Sequence, residues 1–287
     1  MLPSPISERC QNLLGAKILA VKPISDGDIN QAMLLETTAG RFFVKTNSNS
    51  VAGRMFETEA LGLNLLAATG AIRTPTVAGF GETEVGGFLL LEYTETGYRP
   101  AGFWEEFGTA MADLHRHSAP VFGLGHDNFI GNLPQSNCQH DGWPDFYVSE
   151  RLLPQLEIAE QKQQLQPADF QDFERLFKLL PELCPTEPPA LVHGDLWSGN
   201  FLCNAQGQPV LIDPAVSYSH RETDLAMSRL FGGFDRQFYR SYEAAWPLAS
   251  GFEQRLFVYQ LYYLLVHLNL FGGGYVRQVR SILAEFK

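Results

Sequence analysis

The 287-residue sequence predicts an α+β fold in two lobes: a small antiparallel β lobe with one long helix, followed by a larger, mainly helical lobe. Three observations lead there. Before residue 93, apolar residues recur in short runs punctuated by glycine, as in half-buried strands. Gly53 to Thr69 interrupts those runs with Phe56, Leu63 and Leu66 on or near one helical face. Beyond residue 103 the apolar spacing is largely helical.

In order, Ile6 to Leu14 reads as a short helix and Lys17 to Ile24 as a strand, with Gly27 and Asp28 in a tight turn. Gln31 to Thr37 and Arg41 to Thr46 form a hairpin across Ala39-Gly40. After the long helix, Pro75 ends the connection, and Val77 to Phe80 pairs with Gly86 to Tyr93. Residues 94–102, with two glycines and one proline, are the expected linker between a lobe of residues 1–93 and one of residues 103–287. Helices are expected over Phe103 to His117, Phe146 to Gln164 and Asp169 to Leu180, with a break at Pro185 to Pro189. Two short strands, Phe201 to Cys203 and Val210 to Ile212, and three helices complete the chain. A cleft between two lobes is a natural ligand site.

Composition narrows the classes. Hydrophobic residues make up 45% and charged residues 18%, enough apolar content for a packed core. The net charge of −11 disfavours general binding to nucleic acid or anionic membrane. Cys10, Cys138, Cys184 and Cys203 show no metal or disulfide spacing and read as reduced thiols. Met1 to Pro5 lacks the charged and apolar regions of a signal peptide, which points to the cytoplasm. Leu256 to Phe271 is too short and too polar for a membrane span and reads as a buried core helix.

The chemistry concentrates in His193-Gly194-Asp195-Leu196-Trp197-Ser198-Gly199-Asn200 and Ile212-Asp213-Pro214. Phosphoryl transfer requires a carboxylate to accept the attacking hydroxyl's proton, oxygen ligands for Mg²⁺, and a lysine for the phosphates of ATP. The spacing H-x-D-L-x-x-x-N matches a kinase catalytic loop. Asp195 then serves as base, Asn200 and Asp213 as metal ligands, and His193 as a backbone brace. Pro214 stands where D-F-G has Phe, so no flipping of that segment is implied. Lys45, delivered by Phe42-Phe43-Val44, is the phosphate lysine. Its expected partner is Glu59, or else Glu57, since two successive helical steps of about 100° point these two apart.

Ser25 to Asn30 is the candidate phosphate-covering turn. It holds one glycine, Gly27, rather than G-x-G-x-x-G, with Asp26 and Asp28 turned outward; a plain hairpin turn fits the same residues. Leu89 to Tyr93 could offer adenine its backbone groups, which makes Glu92 and Tyr93 nucleotide-site candidates; a buried strand without a ligand role fits as well. Trp197, two residues after Asp195, could stack on a sugar. Asp224, at a helix start, could cap that helix or brace the catalytic loop. His115 and His117 are two residues apart on a helix and do not form a metal pair.

Leu191 to Asn200, with D-L-W-S-G-N as its specific part, resembles the signature of fructosamine (ketosamine) kinases, in the protein-kinase-like superfamily with aminoglycoside phosphotransferases and choline kinases. Similarity extends through Phe43 to Lys45, Phe56 to Ala60, Gly131 to Gln135, Arg221 to Met227, and Tyr259 through Gly273. The resemblance implies ATP- and Mg²⁺-dependent phosphorylation of the sugar 3-hydroxyl of a ketoamine, which makes the adduct labile and frees the amine. The partner would be a small ketoamine or a glycated protein, and the enzyme a monomer or homodimer. Some family members carry a redox-sensitive cysteine in the phosphate-covering turn; Ser25 to Asn30 has none. The rival readings are an aminoglycoside- or choline-type kinase and a nucleotide-binding pseudokinase. Retention of Lys45, Asp195, Asn200 and Asp213 argues against the latter.

Overall fold

The computed structural model describes residues 2–26 and 30–286. Its first part runs α1 (Ser4–Leu14), β1 (Ile18–Asp26), β2 (Gln31–Thr37), β3 (Gly40–Asn47), α2 (Ala52–Ala68), β4 (Val77–Thr83) and β5 (Gly86–Glu92). The strands form one antiparallel sheet in the order β1-β2-β3-β5-β4. Strand periodicity gives this sheet two apolar faces. Met33, Leu35, Val44, Phe88 and Leu90 pack on Ile6 and Cys10 of α1. Leu89 and Leu91, with Phe43 beside them, pack on Phe56, Ala60 and Leu63 of α2. Lys45 lies in central β3, between Ala32 and Leu89, and only 5% of it is exposed.

Residues 93–102 lead from the sheet to α3 (Phe103–His115) and are tied to the second part by the Gly97 N–H, which donates to the Cys203 carbonyl. Then follow the hairpin β6 (Asn128–Ile130) and β7 (Leu133–Gln135), α4 (Trp143–Phe146), α5 (Leu153–Gln161), α6 (Pro167–Leu183), and the three-residue strands β8 (Ala190–Val192), β9 (Phe201–Cys203), β10 (Pro209–Leu211) and β11 (Ser217–Ser219). The chain closes with α7 (Glu222–Leu230), α8 (Arg236–Ala245), α9 (Phe252–Phe271) and α10 (Val276–Ala284).

The sequence reading differs in three places. The helix expected from Phe146 begins at Trp143 and passes through a π-helical turn at Tyr147–Leu152 before α5. Four α-helices, not three, follow the motif region among the described residues. Strands β6, β7, β8 and β11 were not expected; Asn128, Pro134, Ser217 and Ser219 keep three of them from reading as apolar runs.

One large core fills the helical part. Gly108 of α3 makes the approach of α8 possible, since a Cβ there would meet the Phe238 carbonyl oxygen at 2.2 Å. Helix α7 is fixed to α9 by a buried ion pair: Arg255 donates from Nε and Nη2 to the two Glu222 oxygens, both at 2.6 Å. Its remaining donors reach the Ser250 and Ala249 carbonyls. Among the described residues, no helix is long and apolar enough to cross a membrane.

Glu222 is fully buried, so losing its partner strands a charge. Arg255→Met is expected to cost about 3–5 kcal/mol in urea unfolding, and adding Glu222→Leu to recover much of it.

Candidate active site

Strand β8 delivers His193, Gly194 and Asp195 to the floor of a cleft. Gly194 has φ +84°, and a Cβ there would lie 2.0 Å from the Ala215 carbonyl oxygen, so only glycine fits. Asp224 holds this turn from the first turn of α7. Its Oδ2 accepts the His193 N–H at 2.7 Å and its Oδ1 the Gly194 N–H at 2.9 Å. His115 stands 3.1 Å from Oδ2 and 2.8 Å from the Tyr242 hydroxyl. Of the two uses expected for Asp224, the structure therefore has the loop brace; α7 has no side-chain cap. His193 Nε2–H donates to the Ile212 carbonyl at 2.9 Å, and Nδ1 accepts the Asp195 N–H at 3.2 Å. Burial lowers the His193 pKa, which keeps this single neutral tautomer.

Asn200 Nδ2 donates to the Asp195 carbonyl and to its Oδ2, both at 2.9 Å. With the amide nitrogen so committed, the amide oxygen is the atom left to serve a cation. Asp195 is half-buried. Burial, with Asp213 and Asp224 adding like charge and only the Asn200 bond opposing, pushes its pKa up to about 7. The Ile212 N–H donates to the Asn200 carbonyl at 3.1 Å, keeping Asp213 beside the catalytic loop. Asp213 has φ +55°, an unusual conformation for a residue other than glycine.

The opposite wall comes from the sheet. Lys45 Nζ donates to Glu59 Oε1 at 2.8 Å and Asp213 Oδ1 at 2.5 Å. Burial works to lower the lysine's pKa, but the two carboxylates outweigh it and the pKa rises, so Lys45 stays charged. Glu57 lies exposed on the other side of α2, so the pairing falls to Glu59. Asn200 and Asp213 fit Mg²⁺ as hard oxygen donors. Among the described residues, no group of three or more His, Cys, Asp or Glu stands ready to cage a metal, and Mg²⁺ commonly completes its shell with phosphate and water.

The cleft encloses about 520 Å³ and brings together Lys45, Glu59, Asp195, Trp197, Asn200 and Asp213. Trp197 is 37% exposed and folds over Gly199, where a Cβ would meet its ring at 2.3 Å. Two expected residues, named for their backbone groups, turn their side chains away from the cleft. Glu92 accepts the Thr76 N–H and hydroxyl, and Tyr93 lies 5.0 Å beneath the Arg41 guanidinium; neither side chain lines the cleft. The Glu92 N–H is already bonded to the Thr76 carbonyl. Gly27 and Asp28 of the phosphate-covering turn lie outside the described residues.

The structure adds cleft residues that the sequence reading passed over. Phe129 and Gly131 of the β6–β7 hairpin line it, as do His267 and Phe271 of α9. His267 Nδ1–H donates to the Tyr263 carbonyl at 2.8 Å, and burial lowers its pKa, which leaves Nε2 as a neutral acceptor. Its ring sits 4.6 Å from that of Phe231, which meets Trp197 edge-on at 6.5 Å. The sequence signal was His267, one of three polar residues with Gln260 and Asn269 in the largely apolar run Leu256 to Phe271.

A sheet lobe and a helical lobe meeting at such a cleft define a kinase-like phosphotransferase. Within that class the chain belongs to the fructosamine kinase family, whose model matches residues 4–287. A probable ketoamine kinase of Enterococcus faecium is 42% identical over 270 residues, covering 93% of this chain and 95% of that one. The chloroplastic protein-ribulosamine 3-kinase of Oryza sativa subsp. indica is 38% identical over 278 residues, 94% of this chain and 79% of the other. A crystal structure from Thermobifida fusca, provisionally named a fructosamine-3-kinase, matches with TM-score 0.88 at 33% identity and covers 98% of both chains.

Proposed function

We propose that this enzyme transfers the γ-phosphoryl group of ATP to the sugar 3-hydroxyl of a ketoamine, so that the labile product releases the amine. The observation that carries the reading is Asp195, half-buried and held by Asn200 between the Lys45 wall and the Trp197 ring. Lys45, oriented by Glu59, would pair with phosphate, and Asn200 and Asp213 are the residues that would hold Mg²⁺, which would supply charge neutralisation on the phosphates. Asp195 takes the hydroxyl proton as that oxygen bonds to phosphorus and the bond to the departing ADP oxygen breaks. Trp197 offers its face to the sugar, and His267 Nε2 accepts a hydrogen bond from a hydroxyl or amine of the acceptor.

The acceptor side supports this class over a polycationic one. Trp197, Phe129, His267 and Phe271 line it, and among the described residues the carboxylates of the cleft, Glu59, Asp195 and Asp213, are those already given roles in phosphoryl transfer. The four free thiols suit a reducing compartment such as the cytoplasm.

Following ADP release with fructosyl-lysine, ribulosyl-lysine, choline and an aminoglycoside tests the acceptor class: turnover is expected with the ketoamines, and preference for either of the other two would overturn it. The pH profile tests the base. Asp195 acts only when ionised, so kcat/KM is expected to fall tenfold per unit as pH drops below about 7. An acid limb near the ordinary carboxylate value of about 4 would contradict the role of burial.

A further inference from the structure

Asp213 has φ +55°, a left-handed conformation that aspartate adopts more readily than most residues but still at a cost, and such residues persist where the surroundings over-determine them. Pro214 supplies no N–H, and the flanking strands β10 and β11 have three residues each. The hold comes from outside. Asn128 Nδ2 donates to the Val216 carbonyl at 2.8 Å, and Gln135 Nε2 donates to the Ala215 carbonyl at 3.2 Å and to Asn128 Oδ1 at 2.7 Å. The Ala215 N–H meanwhile donates to the His193 carbonyl.

The amide orientations are forced. Arg151 can only donate, and its Nη2 meets Asn137 Oδ1 at 2.7 Å. Asn137 must then donate from Nδ2, which it does to Asn128 Oδ1 at 2.9 Å, leaving Asn128 its Nδ2 for Val216. The Tyr262 hydroxyl donates to Gln135 Oε1 at 2.6 Å, which aims Gln135 Nε2 at the loop. All five side chains are at most 4% exposed. Asn128 and Gln135 face each other across the β6–β7 hairpin, whose Phe129, Ile130 and Gly131 line the cleft.

We propose that Asn128 and Gln135 are positioning residues for Asp213: they grip the two carbonyls that follow Pro214 and thereby fix the metal-ligand carboxylate in place. This rests on the reading of Asp213 as a Mg²⁺ ligand. It assigns the β6–β7 hairpin the task of fixing, by hydrogen bonds, the backbone of a segment whose Ala215 and Val216 side chains are already packed in the core.

The test is Mn²⁺ binding by electron paramagnetic resonance, with a non-hydrolysable ATP analogue, on the full chain. Gln135→Ala is expected to raise the Mn²⁺ Kd about tenfold, the scale of one or two net hydrogen bonds. Its kcat should fall at low Mg²⁺ and return to within about twofold of the parent at saturating Mg²⁺. Tyr262→Phe, which leaves the hairpin and its volume intact, should shift the Mn²⁺ Kd in the same direction by less, and carries the test if Gln135→Ala fails to fold. An unchanged Kd in the folded variants, whatever their melting temperatures, would overturn the proposal. Parent enzyme that binds no Mn²⁺, or Asp213→Ala that binds it equally well, would overturn the metal-ligand reading as well, which separates the two failures.

Discussion

The site depends on one buried ammonium group shared by two carboxylates. Lys45 comes from the centre of the sheet, Glu59 from α2, and Asp213 from a loop 168 residues further along the chain. Taking a lysine out of water is unfavourable, and the two carboxylates reverse that cost. Removing either one leaves the ammonium less compensated in the cleft wall. The same contact fixes the two walls relative to each other, since Lys45 reaches Asp213 only while the sheet sits over the β10 loop. Both faces of the sheet serve this end: α1 covers one, and α2 covers the face on which Lys45 lies.

Two aspartates near the catalytic loop show how environment divides roles. Asp224 is fully buried, yet it accepts two backbone N–H groups and stands within reach of His115. That many fixed partners make it a structural acceptor. Asp195 has one side-chain amide partner, Asn200, and two neighbouring like charges. It is left poised near neutrality, where a base can both be ionised and hold a proton. The rest of the floor is immobilised around it by Gly194 against Ala215 and by the amides behind the Asp213 loop.

Much of this was legible in the sequence, for physical reasons. Lys45, Asp195, Asn200 and Asp213 could be picked out because phosphoryl transfer limits residue type and spacing, and the fold brings the four into one cleft; the long helices were legible because their apolar stripes repeat several times. Glu59 was the expected partner with Glu57 as the alternative; helical geometry said that only one could face Lys45, and the fold puts Glu59 there and Glu57 in solvent. Strands β6, β7, β8 and β11 were not legible, since each is defined by its partner. Glu92 and Tyr93 were proposed at the nucleotide site for their backbone groups, at the end of an apolar strand; their side chains turn to Thr76 and Arg41, which leaves that backbone proposal untouched. Asn128 and Gln135 escaped notice as braces because they act through bonds made across the fold, and no local pattern marks a buried amide as a brace; His267 stood out only as a polar residue in an apolar helix, and its place in the cleft needed the fold.

The central claim is that Asp195 is the base of a phosphoryl-transfer site whose nucleotide-binding wall stands apart from it. Asp195→Asn keeps the shape, removes the proton acceptor and relieves a buried charge. Its turnover of a ketoamine with ATP is the direct measurement, taken alongside its affinity for a non-hydrolysable ATP analogue. The account predicts that kcat falls by about 10²–10⁴ while nucleotide affinity stays within a few-fold. A variant that retains the parent's kcat would contradict it.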